Sequence, residues 1–480
     1  MPGDDCNSNF IKETGKLITG PFTLLLIILI CSSYQLFAFQ SPFFMQKRNG
    51  SATKTLLQDT LTKKHFGRAA GLLVLSNAIP WAFNKYVNKA EFSNISFSSI
   101  RNNLNPKSWT WDDDDFGTNQ FAHPYHGSLY FNAFRANGYS FWQSVPAAFV
   151  GSYLWETVAE QQYPSPNDFI NTSFGGVIMG EMTYRLANNI VNNNRRGFKR
   201  QASEVLALLI NPSFGFTRII DRKWGKTAPN STERDSTKVY AEFDAGMRKF
   251  NVNNSIAGFG WYGHMKFLFG TPSENFRKPF SNISIHLEFG KDDTSVINVI
   301  SVYGSLAGWE VTSKEKTKRM AVMSANYDYV HNESFFYSTQ SIKLNLFSSH
   351  QLSNKLAFTT QVGAGPVILA AVPNVYRIGG RAYDYGMGLS FNAGGGFRFS
   401  DKFSVSANYK GGWLKTISGN QSHHLLHALT GEVRYHIANG FSLCAEPGYF
   451  TLHGHYKDYP TVNYYYPYLR VSVRYSLNIQ

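Results

Sequence analysis

The sequence predicts an α+β protein, with a helical domain over residues 65–225 and an antiparallel transmembrane β-barrel of about twelve strands over 238–480. Two observations carry this. From Lys238 onward apolar residues recur with a period of two. In VYAEFDAGMRKF one face takes Val239, Ala241, Phe243, Ala245 and Met247, and the other takes Tyr240, Glu242, Asp244 and Arg248. The last segment, YLRVSVRYSLNI, likewise sets Leu469, Val471, Val473 and Tyr475 against Arg470, Ser472 and Arg474. The second observation is composition: 39 Phe and 27 Tyr in 480 residues, 16% charged residues and a mean hydropathy of −0.26. That balance argues against a multi-pass helical membrane protein and fits strands that hide their hydrophobicity by alternation.

At the N-terminus, Lys12 and Lys16 precede LITGPFTLLLIILI, and Ala38 supplies a small residue for cleavage. Residues 1–38 therefore read as a secretory signal peptide, with an uncleaved anchor helix as the alternative. Residues 39–64 read as a linker. Cys6 and Cys31 would leave with the signal, so Cys444 stands alone and no disulfide is expected in the mature chain. Residues 66–87 read as a helix that Pro80 kinks or breaks. The run Asp112 to Asp115 lacks the alternating ligands of a calcium loop and reads as a solvated acidic loop. NNNRRGFKR reads as a basic hinge, and QASEVLALLINPSFGFTRII as a helix ending at Asn211-Pro212.

The candidate site lies in the stretch from Phe121 to Arg185. Its apolar and small residues have the density of packed helices, and among them stand His123, His126, Arg135, Glu156, Glu160, Asp168, Asn171 and Glu181. Ionisable groups on apolar helices are costly unless paired, hydrogen-bonded or used for chemistry. These eight are the candidate polar network or ligand site. Glu156 and Glu160, at i,i+4, are expected to share a helix face, where like charges repel unless a proton, cation or metal sits between them. His126 beside them would complete a His/carboxylate site or act as a general base; a structural network is the favoured reading. Asp168 and Asn171 follow Pro164 and Pro166 at a helix start, with Ser165 or Asn167 as N-cap. Glu181 and Arg185 are spaced for an intrahelical ion pair. The zinc motif H-E-x-x-H, the nucleophile elbow and the phosphate loop are absent, so no metal, cofactor or catalytic residue is assigned.

The blocks WDDDDF, HPYHGSLYFNAFRANG, GSYLWETVAEQQYPSPNDFINTSFGGVIMGE and INPSFGFTR resemble the bacterial envelope family called domain-of-unknown-function 3943, over roughly residues 105–220. The resemblance implies a Gram-negative envelope protein and brings no established activity. A shorter similarity to the VanZ-like pattern rests on Glu156, Glu160, Ser165, Asp168, Asn171, Gly175, Gly176 and Gly180. The same glycines read as a close helix contact.

Loop lengths point to an orientation. Ser400-Asp401-Lys402 and Ala438-Asn439-Gly440 are expected as tight periplasmic turns, and AVPNVYRIGGRAY, ISGNQSHH and KDYPTV as longer external loops. VTSKEKTK would then be a longish periplasmic turn. The charge of +14 suits outer-membrane lipid or lipopolysaccharide, and no motif supports nucleic acid. The favoured function is an outer-membrane barrel with a helical periplasmic domain that binds a lipid or an envelope protein partner. The alternatives are a membrane-embedded hydrolase acting on lipid or lipopolysaccharide, and a narrow pore. The expected lumen residues Glu242, Asp244, Arg248, Lys266, Glu288, Lys343, Arg398, Lys410, Glu432, Arg434, Arg470 and Arg474 carry both signs, which favours internal pairing over a wide channel.

Overall fold

The computed structural model describes residues 63–230, 238–252, 258–271, 278–290, 296–353, 356–378 and 380–479. The expected signal peptide and nearly all of the linker lie outside the described residues. Twelve strands follow the helical region: β1 (Val239–Phe250), β2 (Gly258–Phe269), β3 (Ile283–Gly290), β4 (Ile297–Lys314), β5 (Thr317–His331) and β6 (Phe336–Gln351), then β7 (Ala357–Ile378), β8 (Arg381–Arg398), β9 (Phe403–Ser418), β10 (Ser422–Ala438), β11 (Phe441–Tyr456) and β12 (Val462–Ile479). Each pairs antiparallel with its sequence neighbours, and β1 pairs with β12 to close the barrel. Closure leaves no strand edge unpaired, which a barrel in lipid requires. The α+β architecture read from the sequence is the one observed.

Register decides which side chains face inward. Glu242, Lys266, His286, Ser301, Asp328 and Thr339 form one row across β1 to β6. Ala241, Phe267, Ile285, Val302, Tyr327 and Gln340 form the row beside it. Members of the first row reach distant strands: Glu242 meets Arg434 of β10 at 2.8 Å, and Asp328 meets Lys410 of β9 at 2.6 Å. Such contacts pass through the lumen, so the first row faces in and the second faces out.

The lumen is crossed at two levels. Arg474 binds Asp244 at 2.5 Å and Glu432 at 2.8 Å, and Glu288 of β3 takes Arg248 at 2.8 Å and Arg470 of β12 at 2.5 Å. Beyond this belt, inward-facing Phe250, Tyr337, Leu414, Leu426, Leu452 and Tyr466 are buried against one another. Side chains from facing strands therefore span the bore at both levels. The expected internal pairing is present around Glu242, Asp244, Glu288 and Glu432, with Asp328 and Glu446 as further members that the sequence reading left out; buried Lys343, also expected in it, has no carboxylate within ion-pair distance among the described residues.

The helical region contains α1 (Phe66–Phe83), α2 (Phe97–Asn103), α3 (His123–Arg135), α4 (Phe141–Leu154), α5 (Pro166–Ile170), α6 (Gly176–Ile190), α7 (Phe198–Ile210) and α8 (Pro212–Ile220). The chain does turn at Asn211-Pro212, but it resumes as α8. There Asn211 accepts from the Phe214 amide at 2.9 Å, and Pro212 occupies the first turn, where no donor is needed. Helices α3 and α6 touch at Gly127 and Gly176. A Cβ on Gly127 would lie 1.7 Å from the Thr172 carbonyl oxygen, so only hydrogen fits.

These helices rest on the barrel's outer wall. Phe131, Phe141, Ile178 and Met179 share one core with outward-facing Ala241, Phe267, Ile285, Val302 and Tyr327. Polar contacts fix the seat: Gln340 donates to Asn171 at 2.8 Å, Arg185 donates to the Pro279 carbonyl at 3.1 Å, and Arg381 donates to the Asp112 carbonyl at 2.8 Å. Among the described residues, no helix is long and apolar enough to cross a membrane.

The expected loop pattern is corrected in part: the short turns at 399–402 and 439–440 and the loop at 457–461 lie between strands as expected, but two other expected loops and the long turn do not. Most of AVPNVYRIGGRAY falls within β7 and β8, whose ladder pairs through Pro373 and again at Ile378 with an irregularity between, and ISGNQSHH is reduced to the turn at 419–421. VTSKEKTK is likewise strand on either side of a turn at 315–316. The polarity of these stretches marked strand ends as well as turns. Loop length therefore does not orient this barrel.

Candidate functional site

The eight residues read from the sequence do not form one site; the structure distributes them over three groups and one docking contact. The first group surrounds His126. Pro80 lies inside α1 and has no amide hydrogen for the Ser76 carbonyl one turn earlier. The His126 Nε2 lies 2.7 Å from that carbonyl oxygen and supplies the missing donor. Tyr130 packs beside the ring and donates to Asn77 at 2.7 Å. The expected break at Pro80 does not occur, because a side chain from α3 completes the helix.

His126 does not join Glu156 and Glu160. Trp155 stands between them, its ring 4.7 Å from the His126 ring, and its indole N–H donates to Glu160. Nor do the two glutamates share a helix face. Residues Trp155–Ala159 form a π-turn, and Glu160 after it is extended, with φ −124° and ψ 147°. The wider turn and the extended cap take Glu160 out of the helix, while leaving it a close neighbour of Glu156.

The second group is a buried carboxyl cluster. Glu156 Oε2 accepts from the Ser165 amide at 2.9 Å, while Glu156 Oε1, also buried, has no partner among the described residues. Asn167 donates to Asp112 at 2.6 Å and to Asp168 at 2.9 Å, and Asn119 donates to Asp112 at 2.8 Å. Asp112 thus turns inward from the acidic loop, while Asp113 to Asp115 are exposed as expected. Ser165 holds the cap position of α5 but donates to Asn167 at 2.5 Å, so neither residue caps with its side chain. His123 sits 3.1 Å from the Thr172 hydroxyl and 3.6 Å from Asp168.

Burial without a cation sets the charge state. It pushes Glu160 up to about 8, and it raises Glu156 well above the carboxylate range, with the neighbouring Glu160 adding to it. Asp168 is raised by burial and then by the Asp112 charge. His123 and His126 are both held down to about 4 by burial. Among the described residues, no three His, Cys, Asp or Glu side chains are placed to hold a metal ion. Burial with no basic side chain against Glu156 or Glu160 among the described residues thus raises the proton affinity of this cluster.

The third group centres on Glu181, which takes Arg135 Nε at 2.8 Å and Arg185 Nε at 2.7 Å and is fully buried. Arg135 also lies over the Tyr184 ring. A parallel triad of Arg200, Glu204 and Arg218, with both contacts at 2.7 Å, joins α7 to α8. Sequence reasoning missed it, although Arg200 and Glu204 carry the i,i+4 signal. Asn171 belongs to none of these groups; it is the acceptor that seats the helices on Gln340.

Two expected results follow. His126→Ala should cost about 1–3 kcal/mol by orphaning the Ser76 carbonyl. In a Pro80→Ala background the helix supplies its own donor, so the same change should cost about 1 kcal/mol less in denaturant titration. Strictly additive losses would refute the pairing.

The second concerns pH. A raised carboxyl contributes stability that is complete below its unfolded pKa and lost as pH climbs to its folded one, so Glu160 loses it up to about 8. The histidines act oppositely, and only below their ordinary pKa of about 6.5. Between about pH 6.5 and 8 the helical region should therefore loosen, by about 1.4 kcal/mol per unit for each proton released. Hydrogen exchange over residues 63–230 reads this, and Glu160→Gln should flatten the slope. An unchanged slope in the variant would refute it.

The fold and these groups define a class: a closed antiparallel barrel that carries a helical domain with buried carboxyls on its outer wall. Within it, residues 108–213 match the family model described as Domain of unknown function (DUF3943). No curated protein matches the chain. Among solved structures, the NanC porin is similar at 10% identity and a TM-score of 0.29, over 49% of this chain and 100% of that one. The outer membrane channel DcaP of Acinetobacter baumannii is similar at 6% identity and a TM-score of 0.26, over 50% and 97%. The Pseudomonas putida toluene transporter TodX is similar at 10% identity and a TM-score of 0.22, over 53% and 90%.

Proposed function

We propose that this protein is an outer-membrane barrel with a sealed lumen, whose work is done on its outer wall, where the helical domain meets membrane lipid. The observation that carries this reading is a pair of exposed apolar surfaces, one on the helices and one on the barrel wall. On α1 the exposed residues are Phe66, Val74, Leu75, Ile79 and Phe83 with small residues between, and no charge occurs from Ala69 to Asn84. On α4 the exposed large residues are Trp142 and Val150, with Tyr153, and the helix carries no charge. The part of the wall that the helices leave bare exposes Leu389, Phe391, Leu429, Leu443, Val471 and Val473. Exposed apolar area on this scale marks a membrane or partner surface.

In this reading the rim at which β1 begins is periplasmic. The chain enters there from α8, and Arg185 of α6 docks there on Pro279. The helical domain then extends from that rim along the wall, held by protein contacts, with an envelope protein as the other candidate occupant of its outer face. A hydrolase is less well supported, because the carboxyls with the strongest shifts are sealed from solvent.

The protein should fractionate with the outer membrane, migrate in a heat-modifiable way, and give no steady conductance in planar bilayers. Stable ohmic steps from the wild-type chain would replace this reading with a pore. Recovery in the soluble periplasm would remove the membrane altogether.

A further inference from the structure

Four inward cations of this barrel are matched at close range. Lys410, Arg434, Arg470 and Arg474 each have a carboxylate within 2.8 Å. One outward row is the opposite. At the rim away from the start of β1, Lys415 of β9 lies directly across from His423 of β10, which lies directly across from His455 of β11. The two imidazoles stack, with ring centroids 4.9 Å apart. Lys457 follows on the same face, and together they line a cleft of about 510 Å³. No carboxylate lines it, and among the described residues neither Lys415 nor Lys457 has one within ion-pair distance, although Asp458 is next in the chain.

Basic side chains set directly opposite one another on a sheet repel when they carry charge, and an anion between them reverses the sign. The rows towards the barrel middle show which anion fits. The next row is Trp413, Leu425 and His453, and two rows further stand Tyr409, Leu429 and Tyr449. Beyond them lie Val433, Tyr435 and Leu443. A band of cations thus sits above an aromatic level and then an apolar wall. That order matches phosphate, glycerol or sugar, and acyl chain in a lipid.

We infer that the row Lys415, His423, His455 and Lys457 is a binding site for the phosphate-bearing headgroup of a membrane lipid, whose acyl chains lie on the wall below. The site rests on the reading that the barrel spans a bilayer. It is separate from the helical domain, which covers other strands. The phosphate oxygens accept hydrogen bonds from the two ammonium groups and the imidazole N–H groups, and Trp413 packs on the backbone of the lipid.

The test uses the full chain in detergent, with native mass spectrometry and three probes: a diacylglycerol phosphate, the diacylglycerol with the same chains, and inorganic phosphate. The wild type should retain the phosphorylated lipid and not the diacylglycerol, and millimolar phosphate should not displace it. The variant carrying Lys415→Gln, His423→Gln, His455→Gln and Lys457→Gln should bind roughly tenfold more weakly or worse. Lys249→Gln, an exposed cation on the same rim outside the row, should bind as the wild type does. Equal retention by wild type and fourfold variant would overturn the site, as would equal binding of the diacylglycerol. Full displacement by inorganic phosphate would make it a free-anion site and overturn the lipid. Heat-modifiable migration, checked in every variant, separates these outcomes from a failure of the membrane reading itself.

Discussion

Gly127→Ala will unseat α3 from α6 and release the helical domain from the barrel wall. The new methyl would lie 1.7 Å from the Thr172 carbonyl oxygen and 3.0 Å from the Gly176 Cα, and both neighbours are backbone. Backbone cannot rotate away as a side chain can, so the helices must separate. Overpacking of this kind costs about 1–3 kcal/mol in ordinary cores and more where nothing yields. Separation also strands Asn171 and Gln340, which meet only while α6 is seated. Residues 63–230 should become protease-sensitive while the barrel stays heat-modifiable. Gly71→Ala is the control, since a Cβ there meets nothing within 4 Å, and it should stabilise α1 by about 0.5–1 kcal/mol. A Gly127→Ala protein with wild-type protease resistance would show that the two helices are not in contact as described.

Glu242→Ala will weaken the barrel itself. Glu242 faces Arg434 at 2.8 Å, Arg474 at 3.5 Å and Lys266 at 3.8 Å, and it is 2% exposed. Removing it leaves several inward cations sharing Glu432 and Asp244. Breaking one side of a buried ion pair costs about 3–5 kcal/mol. The temperature at which the folded band disappears in detergent gels should fall markedly. Glu242→Gln keeps the shape and loses the charge, so it should fall nearly as far. Glu310→Ala removes a carboxylate whose Lys318 contact is 3.9 Å and partly exposed, and it should change little. Equal melting of Glu242→Ala and wild type would show that the belt does not hold the lumen shut.

Much of the barrel was legible because the two-residue period is a local property. Glu242 and Asp244 alternate with Ala241 and Phe243 in the sequence as they alternate across the wall, and the inward cations followed from that count. The helices were legible as helices for the same reason. The grouping of the site was not. Glu156 and Glu160 look like helix-face partners until the π-turn at Trp155 displaces the second. His126 looks like a ligand beside carboxylates until Pro80, 46 residues earlier in the chain, leaves the Ser76 carbonyl without its helix donor.

What the sequence by itself determined, then, was element type, strand number to within the count of periods, and the in-or-out face of residues in the evenly alternating segments, because these follow from neighbours along the chain. Only the tertiary structure decided that the helices lie on the outer wall and that Asp112 turns inward to Asn167. It alone decided that Lys415, His423 and His455 stand in one row. Each of these joins residues far apart in sequence through register and packing. Neither is encoded in any one segment, because both depend on which surfaces remain to be buried once the barrel has closed.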